Sequence, residues 1–137
     1  MTLKSHDLAH IRSVVLAGHA GSGKTTLAEQ VLFRAGALPR LGRVDDGTAH
    51  LDYEPERHRQ HRSLGLAVGT FEHGEHEITV VDTPGYPDFV AEMIEGFHAA
   101  DAAIFVMDAS VGIESGLEAA VKPGRATATA ACLAGMA

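Results

Sequence analysis

Tryptophan is absent from these 137 residues, aromatic residues make up only 5%, and there is one cysteine. A single thiol, Cys132, excludes an internal disulfide and suits a reducing compartment. No apolar run approaches the roughly 20 residues needed to span a bilayer, so no membrane association is expected. Met1 to His10 carries charge and lacks a continuous apolar core, which excludes a signal peptide and points to the cytoplasm. Positive charge is also scarce. Lysine and arginine number 11 against 18 acidic residues, for a net charge of −7. That balance argues against a broad basic footprint, and direct DNA binding is not expected. What is present, 45% apolar and 21% charged residues, is the composition of one globular domain.

The strongest local signal is Gly18-His19-Ala20-Gly21-Ser22-Gly23-Lys24-Thr25, followed by Thr26, which fits the phosphate-binding pattern G-x-x-x-x-G-K-[ST]. An apolar stretch, Val14-Val15-Leu16-Ala17, precedes it, and a helix-like run with Leu27, Val31 and Leu32 on one face follows. A loop in that position turns backbone N–H groups inward, and the helix adds the positive end of its dipole. Lys24 would reach the β- and γ-phosphates, and the Thr25 hydroxyl would ligate Mg²⁺.

After a polar leader, 1–10, the pattern predicts a strand over 11–17 and a helix over 24–35, stopped at Gly36. Residues 37–62 lose apolar periodicity and read as a polar loop, disordered or functional. A strand over 64–71 and a hairpin partner over 77–81 come next. Asp88 is a possible cap for a helix burying Val90, Met93, Ile94 and Phe97, and 102–107 reads as a further buried strand. A short helix is expected near Ser115. Alternating strands and helices predict an α/β fold of the P-loop NTPase kind, incomplete, with a mainly parallel sheet and helices on both faces. From Lys122 onward the chain turns to alanine, threonine and small residues without strand alternation. Residues 122–137 are therefore expected to stand apart from a nucleotide-binding unit covering 11–121.

A second element is Asp82-Thr83-Pro84-Gly85, at the end of an apolar strand. An aspartate there can hold Mg²⁺ through water, completing the site begun by Thr25. Gly85 offers a backbone N–H where only glycine allows a close approach to a γ-phosphate. A third element should be a hydroxyl from the polar loop, and Ser63 is the candidate metal ligand. The spacings His58-x-x-His61 and His73-x-x-His76 lack the further partners a zinc site requires and read as solvated.

Gly18-His19 with Gly23-Lys24-Thr25-Thr26, and Asp82-Thr83-Pro84-Gly85-Tyr86-Pro87-Asp88-Phe89, resemble the first and third signature motifs of translational GTPases. The chain is similar to elongation factor G, and especially to its elongation factor G-like paralogues. Asp52-Tyr53-Glu54-Pro55-Glu56, the hairpin, and Val106 to Glu114 follow the same order, and the likeness covers roughly residues 11–120. It implies a domain that binds GTP or GDP with Mg²⁺, with ribosome-stimulated hydrolysis serving translocation or ribosome recycling.

Four departures stand out. Ser63 replaces the family's first-switch threonine, and Gly21 replaces an aspartate common in its phosphate loop. Tyr86 stands where the family's water-orienting histidine is expected, as a bulkier phenol that stays neutral at physiological pH. The guanine-reading Asn-Lys-x-Asp motif does not occur in the sequence. Slow or absent hydrolysis by the chain alone is therefore expected. The phosphate loop also fits an ATPase or small kinase, and the tail also fits a non-functional gene remnant.

Overall fold

The computed structural model describes residues 7–51, 66–85, 90–110, 112 and 129–134. Seven main elements follow in chain order: β1 (Ile11–Ala17), α1 (Lys24–Arg34), β2 (Ala67–His73), β3 (His76–Asp82), α2 (Val90–His98), β4 (Ala102–Met107) and β5 (Thr129–Ala134). A 3₁₀ turn, Leu8–His10, capped by the Asp7 carboxylate, leads into β1. The sheet order is β2-β3-β1-β4-β5. Among the described strands only the β2–β3 hairpin is antiparallel; β1 pairs in parallel with both β3 and β4, and β4 with β5.

Side chains alternate between the faces of a strand, and β1 shows the result. Val15 and Ala17 join Val81, Met93, Phe97, Ala103 and Phe105 in the cluster beneath α2. Leu16 points the other way, into Ala28, Leu32, Leu51, Ala67 and Val80 beneath α1. The helices thus cover opposite faces of a mainly parallel sheet, as expected. Phe97 and Phe105 meet with ring centroids 5.9 Å apart. At the amino end of β1 the strand is stapled to the turn before β4. Ser13 Oγ donates to the Ala99 carbonyl, and Ser13 N–H donates to Asp101 Oδ2, both at 2.7 Å.

The strands over 11–17 and 102–107 fall where the apolar pattern puts them, and α1 ends at Arg34 with Gly36 just beyond at φ 77°. Its buried stripe differs from the expected one. Ala28, Glu29 and Leu32 are buried, while Leu27 and Val31 lie half-buried at the edge. Small Ala28 and charged Glu29 carry little hydrophobic signal, so the reading settled on their larger neighbours. β2 runs on to His73 because backbone pairing in a hairpin continues past the last apolar side chain.

Residues 122–137 read from sequence as an alanine- and threonine-rich tail without clear strand alternation. Thr129–Ala134 instead pairs along the whole of β4, from Ala102↔Thr129 to Met107↔Ala134. Parallel strands draw on both sheet faces and need no alternation, so the pattern that marks an antiparallel strand is missing here. The predicted helix near Ser115 and the cap at Asp88 lie outside the described residues.

Residues 37–51 of the predicted polar loop are also described, and part of this stretch packs against α1. Arg43 to Ala49 folds into a turn in which Thr48 N–H and Ala49 N–H both donate to the Arg43 carbonyl. Ala49 and Leu51 are buried. Among the described residues, no helix is long and apolar enough to cross a membrane.

Candidate functional site

The carboxyl ends of β1, β3 and β4 are the buried ends of those strands, and the phosphate-loop residues lie just beyond β1. β1 sits where the order of connection reverses, since its neighbours β3 and β4 lie on opposite sides. Open α/β sheets bind ligands at that kind of position.

Gly18 leaves β1 with φ 153°, and a Cβ placed there would lie 2.2 Å from the Val106 carbonyl oxygen. Only glycine lets the loop start this close to β4. Gly23 caps α1 in the left-handed region, with no side chain bonding the helix end. The N–H groups of Gly21, Gly23, Lys24, Thr25 and Thr26 make no backbone hydrogen bond among the described residues. A helix start with unpaired donors is an anion-binding arrangement.

Lys24 is 6% exposed and folds back over the loop, donating to the carbonyls of Gly18 at 3.1 Å and His19 at 2.8 Å. Burial pushes its ammonium below the ordinary lysine range, while the Asp82 carboxylate pulls in the opposite direction. Asp82, 1% exposed at the end of β3, accepts a hydrogen bond from Thr25 Oγ1 at 2.5 Å. Thr83 anchors the next step: its hydroxyl donates to the Leu16 carbonyl at 2.7 Å. Pro84 is buried, and the Gly85 carbonyl accepts from Ala20 N–H at 3.1 Å. A Cβ on Gly85 would fall 2.5 Å from Ala20 N and 2.7 Å from Lys24 Nζ. The two motifs therefore meet across a gap that no side chain larger than hydrogen can occupy.

His19, buried beside them, has Nδ1 2.9 Å from the Ala20 carbonyl, while its Nε2 accepts from Asp108 N–H at 3.4 Å. A carbonyl can only accept and an amide N–H can only donate, so these contacts place the ring proton on Nδ1. His19 thereby ties the loop to the end of β4.

Gly18 to Thr26 and Asp82 to Gly85 come together in the structure; Ser63 and Tyr86 lie outside the described residues. Reading the sequence alone missed Glu29. It is 1% exposed on α1, and its carboxylate takes hydrogen bonds from the loop between Gly42 and Leu51. The available signal was an acidic residue set between two core positions, Ala28 and Leu32.

A family model described as the elongation factor Tu GTP binding domain matches residues 9–133, which takes in most of β5. An elongation factor G-like protein of Mycobacterium tuberculosis is 46% identical over 104 residues, covering 76% of this chain and 15% of that protein. The mitochondrial ribosome-releasing factor 2 of Candida albicans is 32% identical over 117 residues, covering 85% of this chain and 14% of that one. A crystal structure from Thermus thermophilus superposes with a TM-score of 0.87 at 39% identity, covering 92% of this chain and 19% of its own. This chain thus spans a small part of each of these proteins. With the phosphate loop and the Asp82–Gly85 turn brought together on this sheet, the chain belongs to the translational GTPase family that carries the elongation factor Tu-type GTP-binding domain, and it is similar there to elongation factor G-like proteins.

Proposed function

We propose that this chain holds the phosphates and magnesium of GTP or GDP, as the nucleotide-binding part of an elongation factor G-like GTPase acting with the ribosome. The observation that carries the reading is the meeting of two motifs far apart in sequence. Thr25 Oγ1 and Asp82 Oδ2 lie 2.5 Å apart, while Gly85 hydrogen-bonds Ala20 within the phosphate loop. In this reading Gly18 to Thr26 cradle the phosphates, and Lys24 releases the loop carbonyls to meet the β- and γ-oxygens.

The donor set fits Mg²⁺: a hydroxyl and a buried carboxylate, both hard oxygen ligands, sit side by side at the loop's edge. Thr25 would ligate the ion directly and Asp82 through water, with Ser63 as the proposed third hydroxyl. When bound, the ion supplies charge neutralisation at the phosphate oxygens. Tyr86 is proposed at the water-orienting position. Positioning supplies most of the catalysis in phosphoryl transfer, so a bulky neutral phenol there should leave turnover slow.

Titration of the full chain with fluorescent GTP and GDP, with and without Mg²⁺, tests the reading. Both nucleotides should bind, more tightly with Mg²⁺, and Lys24→Ala should abolish the signal. A folded chain that binds neither at millimolar concentration would refute it. Preference for ATP over GTP would turn the assignment toward an ATPase or kinase. In a ribosome-stimulated assay, Tyr86→His should raise turnover by about tenfold or more; unchanged turnover would remove the role given to Tyr86.

A further inference from the structure

Glu29 is a fully enclosed carboxylate that the phosphate chemistry does not use. Burying such a charge is costly unless hydrogen bonds satisfy it. Here Oε1 accepts from Leu51 N–H at 2.8 Å, and Oε2 accepts from Gly42 N–H at 3.3 Å and lies 3.1 Å from His50 Nδ1. All three partners belong to one stretch, Gly42 to Leu51. The apolar side of that stretch is fixed as well, because Leu51 packs with Ala28 and Leu32 of the same helix. Gly42 fits this contact closely: a Cβ there would lie 2.8 Å from Glu29 Oε2 and 2.4 Å from the Thr48 carbonyl oxygen. An aliphatic side chain could fill the space of Glu29, but it could not receive two backbone donors and an imidazole.

We infer that Glu29 is a positioning residue that clamps Gly42–Leu51 onto the helix bearing Lys24 and Thr25. The root of the loop and the phosphate-binding end of α1 then move as one body. This inference rests on the reading of Gly18 to Thr26 as a phosphate cradle, and it concerns how that same site is held. Without the clamp, the Gly42–Leu51 stretch no longer braces α1, and the entropy of ordering Lys24 and Thr25 against phosphate falls on the nucleotide-bound state.

Hydrogen exchange of the full chain, paired with binding of labelled GTP and GDP, tests this. The amide of glutamine keeps one acceptor oxygen in place of two. In Glu29→Gln, one of the amides of Gly42 and Leu51 should therefore lose protection by about tenfold or more while the other keeps it. Amides of β1 and β4 should exchange as in the parent. In Glu29→Ala both clamp amides should lose protection, and the Gln variant stands as the test if the Ala variant does not fold. GTP and GDP affinity should each fall about three- to tenfold in Glu29→Gln. Unchanged exchange at both amides, or an even rise across all strands, overturns the clamp. Unchanged affinity for both nucleotides overturns the positioning role. If the parent folds and binds neither nucleotide, the functional reading fails and the positioning role falls with it, whatever the exchange shows.

Discussion

Replacing Gly18 and Gly21 by alanine, one at a time, should give unequal costs that the loop geometry sets in advance. At Gly18 the new Cβ would stand 2.2 Å from the Val106 carbonyl oxygen and 3.1 Å from Ser22 Oγ. The carbonyl belongs to the backbone of β4 and cannot swing aside, so the loop itself must retreat. Overpacking of this kind costs about 1–3 kcal/mol, and a backbone angle that side chains rarely adopt adds about 1–3 kcal/mol. At Gly21, φ is 78° and nothing lies within 4 Å of the Cβ position. Only the left-handed penalty of about 1–2 kcal/mol remains, partly offset because alanine restricts the unfolded chain. Gly18→Ala should therefore lose about 2–6 kcal/mol and Gly21→Ala about 1 kcal/mol. With no tryptophan to report on folding, urea titration followed by far-ultraviolet circular dichroism is the suitable assay. With a denaturant slope of about 1–3 kcal/mol per molar, the two midpoints should separate by about 0.3 M or more. Nucleotide affinity should drop sharply for Gly18→Ala alone. Equal midpoints for the two variants would refute the packing argument, because the difference rests mainly on the close approach to the Val106 carbonyl.

Lys24 sets a pH dependence. Its folded value lies below the ordinary lysine range because of burial, so between the two values the unfolded chain holds more protons and nucleotide-free stability should rise with pH. Phosphate needs the cation, so nucleotide affinity should fall as pH rises through the lowered value; calorimetry that finds no proton uptake in that window would contradict this. Asp82→Asn removes the charge that opposes the lysine's downward shift, and should move that fall to lower pH while abolishing the Mg²⁺ dependence of binding. An unchanged Mg²⁺ titration would take Asp82 out of the metal site. Phe97→Ala empties a position 1% exposed beside Phe105 and should cost about 3–5 kcal/mol in a thermal melt; a loss below about 1 kcal/mol would mean that this cluster is not close-packed. Gly21→Asp restores the residue common in the resembling family and should cost no more than Gly21→Ala, since aspartate tolerates the left-handed region better than alanine.

Much of this arrangement was readable in advance, because its signals are local. β1 and β4 are continuous apolar runs, and the phosphate loop and the Asp82–Gly85 turn are fixed-spacing patterns whose residues each answer to one physical need. Glu29 was not readable because its meaning lies in backbone donors more than a dozen positions away in the chain. Nothing in a single acidic residue says that Gly42 and Leu51 will come to it. The true stripe of α1 was hidden for a related reason: Ala28 contributes by fitting under the sheet, and small size carries no hydrophobic signal. β5 was missed because its pairing is made by the backbone, which sequence patterns register only when one face is wet.

The two clusters on opposite faces of the sheet have a consequence for how a ligand would act. The phosphate loop runs directly into α1 on one face, and the Asp82–Gly85 turn heads toward α2 on the other. A phosphate gripped by both motifs is then a bolt through the thickness of the sheet, fastening layers that otherwise communicate through the strands between them. Ligand at a hundredfold excess over its dissociation constant adds about 2.7 kcal/mol to stability. Because the bolt joins both layers, that increment is shared by both helices, and saturation should merge any separate melting of the two faces into a single transition.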